Sequence, residues 1–265
     1  MASQQITIGA LNESEHNLNH SIDICHEIGE EIIEAIGHQV LGRALSYRSV
    51  WQKVEQELDS AIVIQQKIGY VQGEGISNAY RALYFFLMAR TNSQSQMQNL
   101  KLAIGSAIHA LELANKDARQ TYLPPRDYIR AHWLLGAAYR TNNELTLAEE
   151  NLSKALNLCR QINSVDAEAD ILLDVARLRY AQGDFKDAQE KASEALVITE
   201  RSGYVLQGAD VNLFLAQYAL EQEKDNAKAK EYALEAKKLA TCDGPPYYYK
   251  VAYEEAEQLL ARLKE

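Results

Sequence analysis

Residues 148–159 read Ala148-Glu149-Glu150-Asn151-Leu152-Ser153-Lys154-Ala155-Leu156-Asn157-Leu158-Cys159. Ala148, Leu152, Ala155, Leu156 and Cys159 stand at offsets of 0, 4, 7, 8 and 11. At about 100° per residue these offsets form one stripe of an α-helix. The stripe recurs as Ala103, Ala107, Ala110, Leu111 and Ala114, and again as Ala188, Ala192, Ala195 and Leu196. Val54, Leu58, Ala61 and Ile62 repeat it, as do Ala229, Ala233, Ala236 and Ala240, while Leu18, Ser21, Ile22 and Cys25 give a weaker first copy. The member at offset 7 falls at residues 21, 61, 110, 155, 195 and 236, so the copies lie 40, 49, 45, 40 and 41 residues apart. A fixed period of this length signals stacked helical units.

A second helix precedes each stripe. Leu41-Gly42, Leu135-Gly136, Val175-Ala176 and Leu215-Ala216 sit 19 to 21 residues before the matching alanine, and their small members let two antiparallel helices approach closely. Asn142-Asn143-Glu144 and Gln182-Gly183-Asp184 supply short turns within pairs. Gly29, Gly69, Asn163 and Gly203 are placed to end helices in the left-handed conformation. Pro124-Pro125 and Pro245-Pro246 are placed to restart helices near their first residue, where a missing N–H is harmless.

The composition excludes several classes. With 37 acidic and 27 basic residues the formal charge is −10, a field that repels nucleic-acid phosphate and anionic membranes. The longest pure apolar run, Ala82 to Ala89, is far shorter than a membrane span, and no basic-then-apolar leader opens the sequence. Three cysteines, Cys25, Cys159 and Cys242, cannot all pair internally, which points to a reducing compartment, the cytoplasm.

Catalytic and metal chemistry finds little support. His16 and His20 share a helix face, but that face is the outer one, away from Cys25. His26-Glu27-Ile28-Gly29-Glu30 lacks the second histidine of a zinc-protease helix, and Glu31, Glu34 and His38 lack di-iron spacing. Gly69-Tyr70-Val71-Gln72-Gly73-Glu74-Gly75 has no following Lys-Ser/Thr, so it reads as an inter-repeat turn and not a phosphate cradle. The expectation is a chain with no catalytic residues, no metal and no cofactor.

Leu135-Gly136, Tyr139, Ala148 and Ala155-Leu156, followed by Ala176, Gly183-Asp184-Phe185, Ala188 and Ala195-Leu196, resemble the tetratricopeptide repeat over roughly residues 10–241. The resemblance implies an all-α, right-handed superhelical array of antiparallel helix pairs spanning 1–265 as one unit. Its parts are a half repeat at 11–28, repeats at 30–69, 70–117, 118–163, 164–203 and 204–243, and a capping helix at 246–263. In such an array each repeat touches only its neighbours. The 40-residue period, with Ser202-Gly203-Tyr204-Val205-Leu206-Gln207 and Cys242-Asp243-Gly244-Pro245-Pro246-Tyr247, is similar to the sensor arrays at the C-terminus of bacterial STAND (NLR-like) signalling ATPases. That likeness implies a non-catalytic module that senses a protein or peptide ligand in a concave, mobile groove, linked to ATPase and effector domains.

Carrying the family's inner-groove positions over gives Gln39, Arg43 and Tyr47 in the first repeat and Arg130, Trp133 and Arg140 in the third. It gives Asp170, Arg177 and Tyr180 in the fourth and Asp210 and Gln217 in the fifth; the second repeat, of uncertain register, is left unassigned. Arginines with aromatics suit a polar or acidic segment. The alternative is a small-molecule receptor, which calls for a closed apolar pocket with few polar groups.

Two insertions interrupt the period: nine residues within Arg90–Asn99, Ser/Gln/Asn-rich and suited to a mobile loop, and five between Asn115 and Pro125. About ten residues precede the half repeat, too few for its missing first helix. The chain therefore reads as cut from a longer protein, with an uncapped N-terminal end that leaves room for a homodimer.

Overall fold

The structure, a computed structural model, describes residues 2–91, 94–118 and 125–263. Among these residues there is no strand. The helices are α1 (Ala2–Thr7), α2 (Leu11–Ile28), α3 (Glu31–Tyr47), α4 (Trp51–Lys67), α5 (Val71–Thr91), α6 (Gln96–Ala118), α7 (Pro125–Thr141), α8 (Leu145–Gln161), α9 (Val165–Ala181), α10 (Phe185–Ser202), α11 (Val205–Tyr218), α12 (Asn226–Thr241) and α13 (Lys250–Arg262). A π-helical turn, Ala219–Glu223, continues α11. Pairs α3/α4, α5/α6, α7/α8, α9/α10 and α11/α12 stack in order, an all-α solenoid of helix pairs.

The alanine stripes explain the spacing. Ala148, Ala155, Ala188, Ala192, Ala195, Ala229, Ala233 and Ala236 are fully buried between their own partner and the next pair. Glycine closes two of the pairs further. A Cβ on Gly136 would lie 2.5 Å from Leu152 Cγ and 3.1 Å from the Leu152 backbone nitrogen, and one on Gly42 would lie 2.8 Å from Leu58 Cδ2. Gly29 and Gly203 end α2 and α10 with φ of 75° and 67°, and Asn163 follows α8 with φ of 54°. Asp184 and Asp225 cap α10 and α12 by accepting from backbone N–H groups of the first turn.

Several expectations need correction. Of the glycine-rich stretch, Gly69 (φ 70°) makes the turn, whereas Gly73 and Gly75 lie inside α5, Gly75 packed on Leu113 of α6. The insertion at Arg90–Asn99 is mostly not a loop. α5 and α6 have 21 and 23 residues against 17 in α7 and α8, so the extra length is taken up as helix; residues 92–93 lie outside those described. Of the second insertion, α6 takes residues as far as Ala118, and 119–124 also lie outside the described set. Pro125 opens α7, whereas Pro245-Pro246 sits in the link between α12 and α13, and the last helix begins at Lys250 and not at 246.

The largest departure is at the two ends. The residues before α2 form α1, a short helix whose Ile6 is fully buried, so the half repeat is covered. α1 packs on α2, α3 and α11, and α13 reaches α5. The backbone N–H of Asn12 donates to Asp243 Oδ2 at 2.8 Å, Arg48 Nε donates to the Pro246 carbonyl at 3.0 Å, and the Arg48 guanidinium lies 4.2 Å from the Tyr247 ring centre. Tyr47 and Tyr249 meet edge to face at 5.1 Å. Ile6, Leu11, Leu45, Leu83, Leu206, Ala240, Tyr249 and Ala256 consequently belong to one core. The solenoid closes on itself, and its units do not touch sequence neighbours alone.

Arg90, near the end of α5, ties this closure. It donates from Nε and Nη2 to Glu255 of α13 (3.0 and 2.7 Å), from Nη2 to Asp210 of α11 (2.7 Å) and from Nη1 to the phenol oxygen of Tyr249 (3.0 Å). Tyr249 donates in turn to Asp210 Oδ2 at 2.9 Å.

Replacing Arg90 with alanine leaves Glu255 without its cation and Asp210 with only the more distant Arg177, and should destabilise the fold by roughly 3–5 kcal/mol with faster hydrogen exchange in both α1 and α13. Lys154→Ala, which breaks the exposed pair with Glu150, should change stability by less than about 1 kcal/mol. Gly136→Ala should lower stability by roughly 1–3 kcal/mol through its clash with Leu152, measured by denaturant melts. Equal melts for the Gly136 variant and the parent would show that α7 and α8 do not need the close approach.

Candidate functional site

The inner ends of α3, α5, α7 and α9 converge on a cavity of ≈ 560 Å³, with α1 and the start of α11 as further walls. α3 brings Arg43 and Tyr47, α5 Tyr80, α7 Arg130 and Trp133, α9 Asp170 and α11 Gln207. Ser3, Gln4, Thr7 and Ile8 of α1 and the link after it line the same space. These are first helices of successive pairs, so one stripe of each faces inward while the alanine stripes of the second helices hold the pairs together.

Two guanidinium groups flank the Tyr80 ring, Arg43 at 5.6 Å and Arg130 at 5.5 Å from its centre. Burial works against ionisation of the Tyr80 phenol, but the two neighbouring cations outweigh it and hold its pKa below the ordinary value. Arg130 Nη1 donates to Asp127 Oδ1 at 3.0 Å, and Gln72 Nε2 to the other oxygen at 3.0 Å, so that cation is neutralised in place. Arg43 Nη1 donates to Ser3 Oγ at 3.1 Å, and its guanidinium lies 6.0 Å from the Tyr47 ring centre. Among the described residues Arg43 has no ion pair. Burial pushes the Tyr47 phenol up to about 12.

Asp170 carries the unusual carboxylate. Gln207 Nε2 donates to Asp170 Oδ2 at 3.2 Å, and no cation among the described residues lies within ion-pairing distance. Burial pushes its pKa up to about 7; the Gln207 bond and Arg43 oppose the shift, and Asp210 and Asp174 add to it. Gln207 is 4% exposed, and its Oε1 has no hydrogen-bond partner among the described residues.

Below the cavity the charges are paired. Arg90, Arg140 and Arg177 face Asp174, Asp210 and Glu255. Asp174 accepts from Trp133 Nε1 at 2.8 Å and lies 3.3 Å from Arg177 and 3.6 Å from Arg140. Arg177 approaches Asp210 at 3.8 Å. Burial lowers the Arg140 pKa to about 10 against the pull of Asp174, with Arg177 and Arg90 adding repulsion. The space left in this layer is ≈ 30 Å³.

Of the residues read from the sequence, Arg43, Tyr47, Arg130, Trp133 and Asp170 come together at the cavity. Arg140, Arg177 and Asp210 lie in the ion cluster, engaged with partners of the chain itself. Gln39 is buried away from the cavity, accepting from Gln65 Nε2 at 3.0 Å and from the Ser77 hydroxyl at 3.2 Å. Tyr180 packs on Phe185, Phe214 and Tyr218 and donates to Glu221 at 2.5 Å, and Gln217, exposed, donates to the same carboxylate at 3.1 Å. Sequence reasoning missed Tyr80, Gln207 and Ser3. Tyr80 falls in the repeat whose register the insertion obscures, whereas Gln207 stands one helical turn before Asp210 and was legible on that ground.

His16 and His20 are exposed, and no three His, Cys, Asp or Glu side chains among the described residues converge as a metal set. Burial raises the thiols of Cys159 and Cys242 to about 11, which leaves them as inert packing groups at neutral pH. No described helix is long and apolar enough to cross a membrane.

Residues 127–201, from α7 to α10, match the tetratricopeptide repeat family. No curated protein matches the chain. Among solved structures, the crystal structure of BtubC (BKLC) from P. vanneervenii aligns over 96% of this chain and 90% of its own, with 14% identity and a TM-score of 0.54. At that identity the likeness is one of fold. Together the two matches support a tetratricopeptide-type repeat protein.

The raised pKa of Asp170 has a measurable sign. The folded state binds its proton more tightly than the unfolded chain, whose carboxyl titrates near 3.8. Stability should therefore fall as pH rises from about 4 to about 7 and level off above. Asp170→Asn, which cannot ionise, should melt higher than the parent at pH 8 and lose that advantage at pH 4. An advantage of equal size at both pH values would refute the shifted titration.

Proposed function

We propose that this chain is a non-catalytic binding module that receives a segment of a partner protein in the cavity between α1, α3, α5, α7, α9 and α11. The observation that carries the reading is the convergence of rigid aromatics, Tyr47, Tyr80 and Trp133, with Arg43, Arg130 and Asp170 around ≈ 560 Å³. Aromatic rings supply contact area at small entropic loss, and the charged groups set orientation. The lining mixes polar and apolar groups and does not fit the closed apolar pocket of a small-molecule receptor. The tetratricopeptide match supports the same reading, since such repeats generally mediate protein–protein interaction, and it agrees with a scaffold that does no chemistry.

The long repeat and the sequences at the ends of α10 and α12 support a finer proposal: the chain is the ligand-sensing part of a larger, cytoplasmic STAND-type signalling protein of bacteria. A gene whose reading frame holds no ATPase region would end that assignment.

A photo-cross-linking phenylalanine derivative at Tyr204, which lines the cavity, should capture the partner from the source cell. The same group at Lys154 on the outer face should not. Ala167→Trp, which places an indole into the cavity from the first turn of α9, should abolish capture at position 204 while leaving the melt unchanged. Capture at position 154 that survives Ala167→Trp would place the interaction on the outer face and overturn the reading.

A further inference from the structure

Among the described residues the inward-facing charges at the cavity and beneath it are paired, Asp170 and Arg43 excepted. Arg90, Arg140 and Arg177 meet Asp174, Asp210 and Glu255, and Arg130 meets Asp127. Asp170 accepts one hydrogen bond, from the Gln207 amide, and Arg43 donates to a neutral serine. Each senses the other's charge, yet no ion pair joins them. Arg43 is held in its charged form by Tyr47 and Tyr80, whereas the half-buried Asp170 carboxylate has no cation beside it to offset its desolvation.

Gln207 makes the need specific. Its Nε2 is committed to Asp170, which leaves Oε1 as an acceptor, and the side chain is 4% exposed. A buried acceptor without a donor is destabilising. The Asp170 carboxylate lines the cavity with acceptor capacity left over, while Gln207 Oε1 behind it is shut off from solvent. An ammonium brings three N–H donors and a guanidinium five, with no acceptor to clash. A purely acidic ligand would set its charge against Asp170, and an apolar one would bury the Asp170 carboxylate without a cation. The aromatic rings of Tyr80 and Trp133 in the same cavity offer a surface for the methylene stem of a long basic side chain.

We propose that the cavity takes a peptide segment with a basic side chain, whose ammonium or guanidinium seats on Asp170, which the Gln207 amide holds in place, while a neighbouring carboxylate of the same segment pairs with Arg43. The proposal rests on the peptide-binding reading and adds the chemistry of the ligand. It reverses the emphasis of the sequence reading, in which arginines select an acidic partner: three of the four arginines that reading relied on, Arg130, Arg140 and Arg177, are neutralised internally.

The test uses the full chain and the capped dipeptide Ac-Lys-Glu-NH2, followed by calorimetry and by indole fluorescence. Two controls remove one charge each: norleucine for lysine, and glutamine for glutamate. The lysine peptide should bind at least about tenfold more tightly than the norleucine peptide, as expected for a desolvated charge-assisted bond. Asp170→Asn should erase that preference, and Gln207→Met should reduce it. Arg43→Gln should erase the preference for glutamate over glutamine. Equal affinity for the lysine and norleucine peptides would overturn the cation seat. So would a lysine preference that persists in Asp170→Asn. Either result is compatible with cross-linking at Tyr204, so the cavity reading would stand without this ligand chemistry. Absence of binding of every peptide up to about 10 mM overturns the proposal, and with it the peptide reading if capture at Tyr204 also fails.

Discussion

The fork of Arg90 holds the molecule in its closed form. A planar guanidinium can bond two carboxylates and a phenol at once, and Asp210, Glu255 and Tyr249 occupy those directions at 2.7–3.0 Å. The partners come from α11, the segment before α13 and α13 itself, 120 to 165 residues away along the chain. Without that node a solenoid of helix pairs would be an open groove, free to flex along its length. With it, and with Ile6 and Leu11 buried in the same core as Tyr249 and Ala256, the groove becomes a cavity whose walls face one another at fixed distance.

Closure also sorts the charges. Carboxylates and guanidiniums brought into the interior lose water, and only paired groups recover what is lost. The layer next to Arg90 satisfies that condition with three cations and three anions. The layer next to α1 does not, since Asp170 and Arg43 remain apart. The pKa of about 7 at Asp170 is the consequence: near neutrality the isolated carboxyl is close to giving up its charge. Residues that look alike in sequence, Arg43 and Arg177 at matching positions of their repeats, therefore differ in what they are free to do. Arg177 is spoken for by Asp174 and Asp210, whereas Arg43 holds a serine and two aromatic faces.

How much of this was legible in the sequence follows from the range of each interaction. The helix pairs were legible because Ala148 to Cys159 and its copies repeat a pattern that one helix enforces locally. Arg43, Tyr47, Arg130, Trp133 and Asp170, the inner-groove candidates that line the cavity, lie on repeats whose register the period sets. Tyr80 escaped because nine added residues broke the period, and much of the added length went into α5 and α6, where it is not marked by turn residues. The closure escaped altogether. Arg90 lies in the stretch read as a loop, and its partners share no spacing with it that a repeat could reveal. Gln39 and Tyr180 show the converse limit: matching positions in a repeat share a direction on their helix, but what stands opposite depends on neighbours that are not repeated, Gln65 and Ser77 for one, Phe185 and Phe214 for the other.

A cavity of this kind is set before any ligand arrives. Arg43 is held by Ser3 and stacked between Tyr47 and Tyr80, Trp133 is fixed by its bond to Asp174, and Asp170 is held by the Gln207 amide. Each of these contacts removes side-chain freedom in the empty state, so less is lost on binding. An open groove gains affinity by length of contact and tolerates many sequences. A cavity of ≈ 560 Å³ between facing walls admits a short segment and discriminates by the few groups it leaves unsatisfied. The same inward stripe of a helical repeat can thus serve either mode, and Arg90, far from the cavity mouth in sequence and absent from the repeat pattern, decides which.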